Sequence, residues 1–248
     1  MTDVLLINPN TTQSITDLVL KTAKRFASKG TNLRAVTGAF GPRYIASRVG
    51  YAIAGHAAVD ALANDRGRKD AVVLACFGDP GLAALKEVAK VPVVGMADAS
   101  ILKACALGKR FSIVTGGERW KSMLEEFVAS QGLSARLASV RTVAPTGADI
   151  ARNPKAAMAL LAKGCTACVR DDGADVVILG GAGLAGLAAK LKPMVDVPLL
   201  DGVACALAMA EGLARQKPAK AAVGSFALPA PVDSVNLSKG LAKLLGSP

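Results

Sequence analysis

The residue with the greatest chemical reach in this sequence is Cys76. It follows Ala71-Val-Val-Leu-Ala75 and precedes Phe77-Gly78-Asp79-Pro80-Gly81, so it is expected to close a buried strand and stand on a turn. There, successive backbone N–H groups and a helix N-terminus would face a ligand. Such a place lowers a thiol pKa and binds carboxylate or enolate oxygens. A small buried filler is the plainer alternative for a free cysteine. Two more turns have related chemistry. Asn8-Pro9-Asn10-Thr11-Thr12 sets two short amides at a strand exit, suited to contacting a ligand, beside two threonines suited to capping the next helix. Thr115-Gly116-Gly117-Glu118 offers bare amides to an anion, or else a tight turn whose Glu118 complements a helix dipole.

Other reactive groups carry less. Asp79 and Asp201 both follow apolar runs, as bases facing a cleft or as helix caps. His56 is the one histidine and falls in the apolar, helix-like stretch Ala52-Ile-Ala-Gly-His-Ala-Ala-Val59, which leaves no second His for metal or Ser-His chemistry. Five cysteines are scattered, and Cys105, Cys165 and Cys168 read as small core fillers. The absence of a disulfide pattern suits a reducing cytoplasm. Gly181-Ala-Gly183-Leu-Ala-Gly186, with Asp201 beyond it, superficially fits a dinucleotide fingerprint. In a chain this rich in Gly and Ala such matches arise easily.

These turns need elements to hold them. Apolar runs at Val4–Ile7, Ala71–Ala75, Val91–Val94, Phe111–Val114, Val176–Leu179 and Val197–Leu200 alternate with longer segments of helical period. That alternation marks βα units and a parallel sheet. The chain also repeats itself. Ala71-Val-Val-Leu-Ala-Cys-Phe-Gly-Asp-Pro-Gly-Leu82 aligns with Val176-Val-Ile-Leu-Gly-Gly-Ala-Gly-Leu-Ala-Gly-Leu187, and Val91-Pro-Val-Val-Gly95 with Val197-Pro-Leu-Leu-Asp201. Ile7–Thr11 pairs with Ile113–Gly117 at the same step of roughly a hundred residues. Two like α/β lobes follow, residues 1–97 with 214–248 and residues 98–213. Their strand ends open on one cleft, which sets Cys76 and Gly181 at equivalent positions on opposite walls.

Composition bounds the rest. With 248 residues, 52% of them apolar and only 4% aromatic, the chain is an Ala/Val/Leu-rich α/β globule. Asp3 sits too early for a signal peptide, and no uncharged stretch reaches the ~18 residues of a membrane span. The net charge of +11 is spread over helix faces without a basic run. It predicts no nucleic-acid partner and a field that favours anionic small substrates.

Read together, Ile7-Asn-Pro-Asn-Thr11, Gly41-Pro-Arg-Tyr44 with Ala52-Ile-Ala-Gly-His-Ala57, Ala75-Cys-Phe-Gly-Asp-Pro-Gly81, Thr115-Gly-Gly-Glu-Arg-Trp120 and Asp201-Gly-Val203 resemble the hydantoin racemases of the Asp/Glu racemase superfamily. The resemblance covers nearly the whole chain. It implies two pseudo-symmetric Rossmann-like lobes with parallel four-stranded sheets, a site between them, no cofactor or metal, and a homo-oligomer. Such enzymes use two cysteines on opposite faces of the substrate, one removing the proton and one returning it. The first carries over onto Cys76, and the second should stand where this chain has Gly181. The implied binding shell is Asn10, Phe77, Gly78, Thr115, Gly116, Gly117, Gly180, Ala182 and Gly183, with Phe40, Arg43 and Tyr44 as wall residues. Proton donors on both faces are each worth ~10² to 10⁴ in rate, so a glycine at 181 predicts impaired racemisation. The alternatives are a one-cysteine decarboxylase or isomerase, or a protein that binds a ligand or nucleotide without catalysis.

Overall fold

The computed structural model describes residues 1–143 and 154–246. The first half runs β1 (Thr2–Asn8), α1 (Gln13–Phe26), β2 (Thr31–Thr37), α2 (Arg48–Asn64), β3 (Ala71–Leu74), α3 (Leu82–Val88), β4 (Val93–Gly95) and α4 (Met96–Leu107). The second runs β5 (Phe111–Thr115), α5 (Trp120–Ser130), β6 (Leu137–Thr142), α6 (Pro154–Arg170), β7 (Val176–Gly180), α7 (Ala188–Leu191), β8 (Leu199–Asp201) and α8 (Gly202–Gln216), before a terminal α9 (Lys239–Leu244).

Each half folds into a four-stranded parallel sheet, ordered β2-β1-β3-β4 and β6-β5-β7-β8. The repeat read in the sequence is thus a repeat of topology, and all six apolar runs lie in or at the edge of strands. β2 and β6 had no apolar run to announce them. They are edge strands whose residues Thr31-Asn-Leu-Arg-Ala-Val-Thr37 and Leu137-Ala-Ser-Val-Arg-Thr142 are largely half-buried, so only alternate positions needed to be apolar.

The inner strands are covered on both faces, and their alternation sorts side chains into layers. Val4, Leu6 and Val73 of the first sheet share a central core with Ile113, Val176 and Ile178 of the second. Leu5, Ile7, Val72 and Leu74 face an outer core under α2 and α3, and Val114, Val177 and Leu179 face another that holds Cys165 and Cys168 of α6. The central layer is completed by α4 and α8, packed on each other. α4 leaves the first sheet to lie on β7, while α8 leaves the second to lie on β1 and β3. This exchange of helices locks the sheets together, with the carboxyl ends of β1, β3, β5 and β7 around one opening. Among the described residues no helix is long and apolar enough to cross a membrane.

Candidate active site

β3 is an inner strand, and its exit is fixed by the Ala75 N–H donating to the Ile7 carbonyl at 2.8 Å. Cys76 then begins a tight turn in which Gly78 (φ 106°) and Asp79 (φ 54°) are both left-handed. The Asp79 N–H closes back on the Cys76 carbonyl at 3.1 Å, and Tyr51 of α2 donates to the Gly78 carbonyl at 2.7 Å. Asp79 turns away from the opening. Its carboxylate accepts from the N–H groups of Ala97 (3.0 Å) and Asp98 (2.7 Å), so it caps α4. Burial pushes its pKa up to about 7 against the pull of those amides.

Burial, with that carboxylate beside it, overturns the expected low thiol pKa. Cys76 is 8% exposed and its Sγ lies 4.0 Å from the Phe77 carbonyl oxygen. Burial pushes its pKa well above the usual thiol range, and the negative charge of Asp79 adds to the effect. Asp79 is spent on α4 rather than on the turn's own helix α3, and burial beside that carboxylate favours the thiol over the thiolate at rest.

The opposite wall begins where β7 ends. Gly180 pairs with Thr115 in the β5–β7 register. A Cβ on Gly180 would lie 2.7 Å from the Phe77 ring, so the walls meet at this point. Gly181 has φ +132°, a conformation side chains rarely adopt, yet a Cβ there would find its nearest neighbours, Thr115 Oγ1 and Leu184 Cγ, at an ordinary 3.7 Å. Residues 182–184 form a single 3₁₀ turn, and Asp201 anchors the segment by accepting from the Gly186 N–H at 2.7 Å while it caps α8 through Val203 and Ala204. The apparent dinucleotide fingerprint therefore opens no helix at its glycines, and its acid is spent on amides rather than open to a ribose. Asp79 and Asp201 are caps, not cleft bases.

A third group of contacts roofs the opening. Asn8 is committed to folding, donating to Asn10 Oδ1 at 2.9 Å and Thr16 Oγ1 at 3.0 Å. Asn10 Oδ1 also accepts the Thr12 N–H at 2.9 Å, which leaves the Asn10 amide NH₂ as the donor toward the cleft. Thr12 stands at the N-cap position of α1 but does not cap it. Its hydroxyl donates to the Arg43 carbonyl at 2.7 Å. The segment from residue 38 to 47 is strapped to the other wall by Tyr44 Oη donating to the Gly116 carbonyl (3.3 Å) and Trp120 Nε1 donating to the Ile45 carbonyl (2.9 Å).

The enclosed cleft has a volume of about 490 Å³, the size of a small-molecule site. On one side it brings together Asn10, Arg43, Tyr44, Cys76 and Phe77, and on the other Thr115, Gly116, Gly180, Gly181, Ala182 and Gly183. Three expected residues lie outside this lining. Phe40 packs its ring on His56, with centroids 4.8 Å apart. Gly78 is covered by Trp120, whose Cζ3 would be 2.7 Å from a Cβ placed there, and Gly117 serves as a left-handed turn residue. Sequence reasoning missed Thr12, Ser14, Ile15, Ile45, Trp120 and Leu184. Trp120 closes the Thr115–Trp120 motif and Leu184 follows Gly183, so neighbourhood to the turns was the available signal. Cys205 is buried in the central core on α8 and does not line the cleft. Elsewhere a shallower hollow of about 260 Å³ carries Lys86, Lys90 and Lys220 and, among the described residues, no thiol or acid.

Comparison with known proteins agrees with this geometry. The family model described as Asp/Glu/Hydantoin racemase matches residues 4–210. A hydantoin racemase from Pseudomonas sp. (strain NS671) is 36% identical over 209 residues, 84% of each chain. The crystal structure of allantoin racemase from Pseudomonas fluorescens superposes with a TM-score of 0.91 at 31% identity, covering 95% of this chain and all of that one. Allantoin racemase from Klebsiella pneumoniae gives 0.92 at 29% identity, covering 97% and 99%.

Proposed function

Because the chain belongs to the Asp/Glu/hydantoin racemase family and is an isomerase of the racemase type, we propose that it moves a proton at the ring carbon of 5-substituted hydantoins or related imides, with Cys76 as its only cleft thiol. The observation that carries the reading is the opposition of two equivalent strand exits across one cleft, a thiol on the first and Gly181 on the second. On this reading Gly181 holds the place of a second catalytic cysteine. No cofactor takes part, and the enzyme works as a homo-oligomer in a reducing compartment.

Cys76 as thiolate takes the proton from one face, and the charge left on the ring carbon spreads to the neighbouring carbonyl oxygen as an enolate. Backbone amides of the Phe77 and Ala182–Gly183 turns, with the Asn10 amide, hold that oxygen. Arg43 at the mouth draws in the acidic ring. The raised thiol pKa has two opposed effects. Little thiolate is present near neutrality, yet what forms is a stronger base, suited to a weakly acidic C–H. Exchange therefore rises with pH through the neutral and mildly alkaline range without levelling off below the ordinary thiol pKa.

The protonated resting state favours one second reading, a one-thiol decarboxylase in which Cys76 gives a proton to a carbanion left by departing CO₂. That reaction needs the thiol, so its rate would stay flat across neutral pH. The deciding test is solvent-deuterium exchange and optical inversion for each enantiomer of 5-isopropylhydantoin in D₂O from pH 6.5 to 9.5. Exchange of one enantiomer faster than its inversion, rising with pH, supports the first reading. No exchange of either enantiomer, with CO₂ release from a disubstituted malonate, would replace it by the second.

A further inference from the structure

We propose that Thr115 is the proton-relay residue for the face that lacks a thiol, passing a proton to the substrate through a water molecule seated against Gly181. The inference rests on the assignment of Cys76 as the base of the opposite face.

The geometry singles out this hydroxyl. Thr115 ends β5 in register with Gly180, is only 5% exposed, lines the cleft, and lies with Oγ1 3.7 Å from where a Cβ on Gly181 would stand. Among the described residues the one hydrogen bond of its hydroxyl is a 3.5 Å contact to the Gly116 carbonyl, which Tyr44 Oη also uses at 3.3 Å. Three comparably buried hydroxyls are held far more firmly, at 2.7 Å for Ser100, 2.9 Å for Ser112 and 2.6 Å for Thr16. A bond at that outer limit holds weakly, so Thr115 is left to turn toward the cleft.

Elimination agrees. Of the other described side chains around the cleft, Leu184 has no exchangeable proton, the Trp120 indole N–H is committed to Ile45, and the hydroxyls of Tyr44 and Thr12 donate to the Gly116 and Arg43 carbonyls. Asp201 is capping α8, and Cys205 is in the core. The space a Cβ on Gly181 would take has Thr115 Oγ1 3.7 Å away and opens on the cleft, so a water there would bond to Thr115 on one side and to cleft solvent on the other.

The proton inventory closes without a further reagent. Cys76 thiolate takes the ring proton and becomes the thiol, leaving the enolate. The seated water gives a proton to the opposite face and takes the Thr115 hydroxyl proton in its place, and Thr115 recovers a proton from a solvent water, which becomes hydroxide. Hydroxide then recovers the proton from the Cys76 thiol through solvent, restoring water and thiolate. Water and a threonine hydroxyl are competent acids toward a carbanion but very poor bases, so return of the proton from Cys76 outruns delivery from the other side. Exchange without inversion dominates for the enantiomer whose C–H faces Cys76.

The test measures the ratio of inversion to exchange for each enantiomer of 5-isopropylhydantoin in D₂O, by NMR and polarimetry, in the full-length protein and in Thr115→Val and Thr115→Ser. The relay predicts that the ratio falls about a hundredfold in Thr115→Val and stays within threefold in Thr115→Ser, which keeps the hydroxyl. Inversion and exchange falling in parallel in Thr115→Val, with a raised KM, would make Thr115 a binding residue only and overturn the relay. So would an unchanged ratio, or exchange with no inversion at all in the starting protein. Absence of exchange for both enantiomers would remove the Cys76 reading itself, and the relay with it.

Discussion

The turns after β3 and β7 occupy equivalent places in the two halves, and in each half one carboxylate ties that turn to the N-terminus of the helix that follows the next strand. They do it from opposite ends. In the first half the acid is Asp79, on the turn itself, reaching the amides of α4, and Gly95 at the helix start has no side chain because one would lie 2.2 Å from the Asp79 carboxylate. In the second half the acid is Asp201, at the position equivalent to Gly95, and it reaches back to hold the turn by the Gly186 amide. The structural task is conserved between halves while the residue that performs it has moved. The move has a chemical consequence, since burial already raises the Cys76 pKa and the carboxylate placed beside it raises it further.

The comparison can be broken in several places. Cys76→Ala is expected to lower deuterium exchange by at least ~10² with little change in melting temperature, and an undiminished rate would end the claim that the halves differ in acid/base capacity. Gly95→Ala drives a methyl into Asp79 and into Leu82 Cδ2, at 2.7 Å. It should cost about 2–4 kcal/mol in urea unfolding, from overpacking and a displaced cap, against ~1–2 kcal/mol for Asp201→Ala. Gly181→Cys meets space but a strained backbone, so we expect a loss of ~1–3 kcal/mol together with a higher ratio of inversion to exchange.

Asp79→Asn sharpens the electrostatic side. Removing the charge should move the alkaline rise of exchange to lower pH. It should also flatten the stability profile. In the folded chain the Asp79 pKa is raised from 3.8 to about 7, so the folded state holds an extra proton and the stability it gives is lost as pH rises between those values. Melting temperatures at pH 4.5 and pH 8 check this, since the mutant should lose the Asp79 part of the difference. The smallest effect belongs to Trp120→Phe, which removes the bond to the Ile45 carbonyl for about 1 kcal/mol and loosens the strap over the cleft, read as a raised KM.

Much of this was legible in the chain. Apolar runs flanked by small residues announced the six strands from Val4 to Leu200 because strands buried on both faces cannot afford polar positions, and the repeat announced two sheets because like patterns satisfy like packing. Cys76, Asn10 and Gly181 were legible because they stand at strand exits, where the topology of parallel sheets puts ligands. β2 and β6 were not, since these two edge strands are only half-buried, unlike the short, mostly buried edges β4 and β8, and carry polar residues between apolar ones. The strap was not legible either. Tyr44 meets Gly116 and Trp120 meets Ile45 across 72 and 75 positions of sequence through hydrogen bonds to carbonyls, and no local pattern encodes a contact to a backbone oxygen. The protonation state of Cys76 was decided by tertiary structure alone. The sequence placed a thiol at a strand exit beside an aspartate. Whether that aspartate faced the cleft or turned inward depended on a helix start 18 residues further along, and only the folded packing sets how far a charge is buried and which amides it meets.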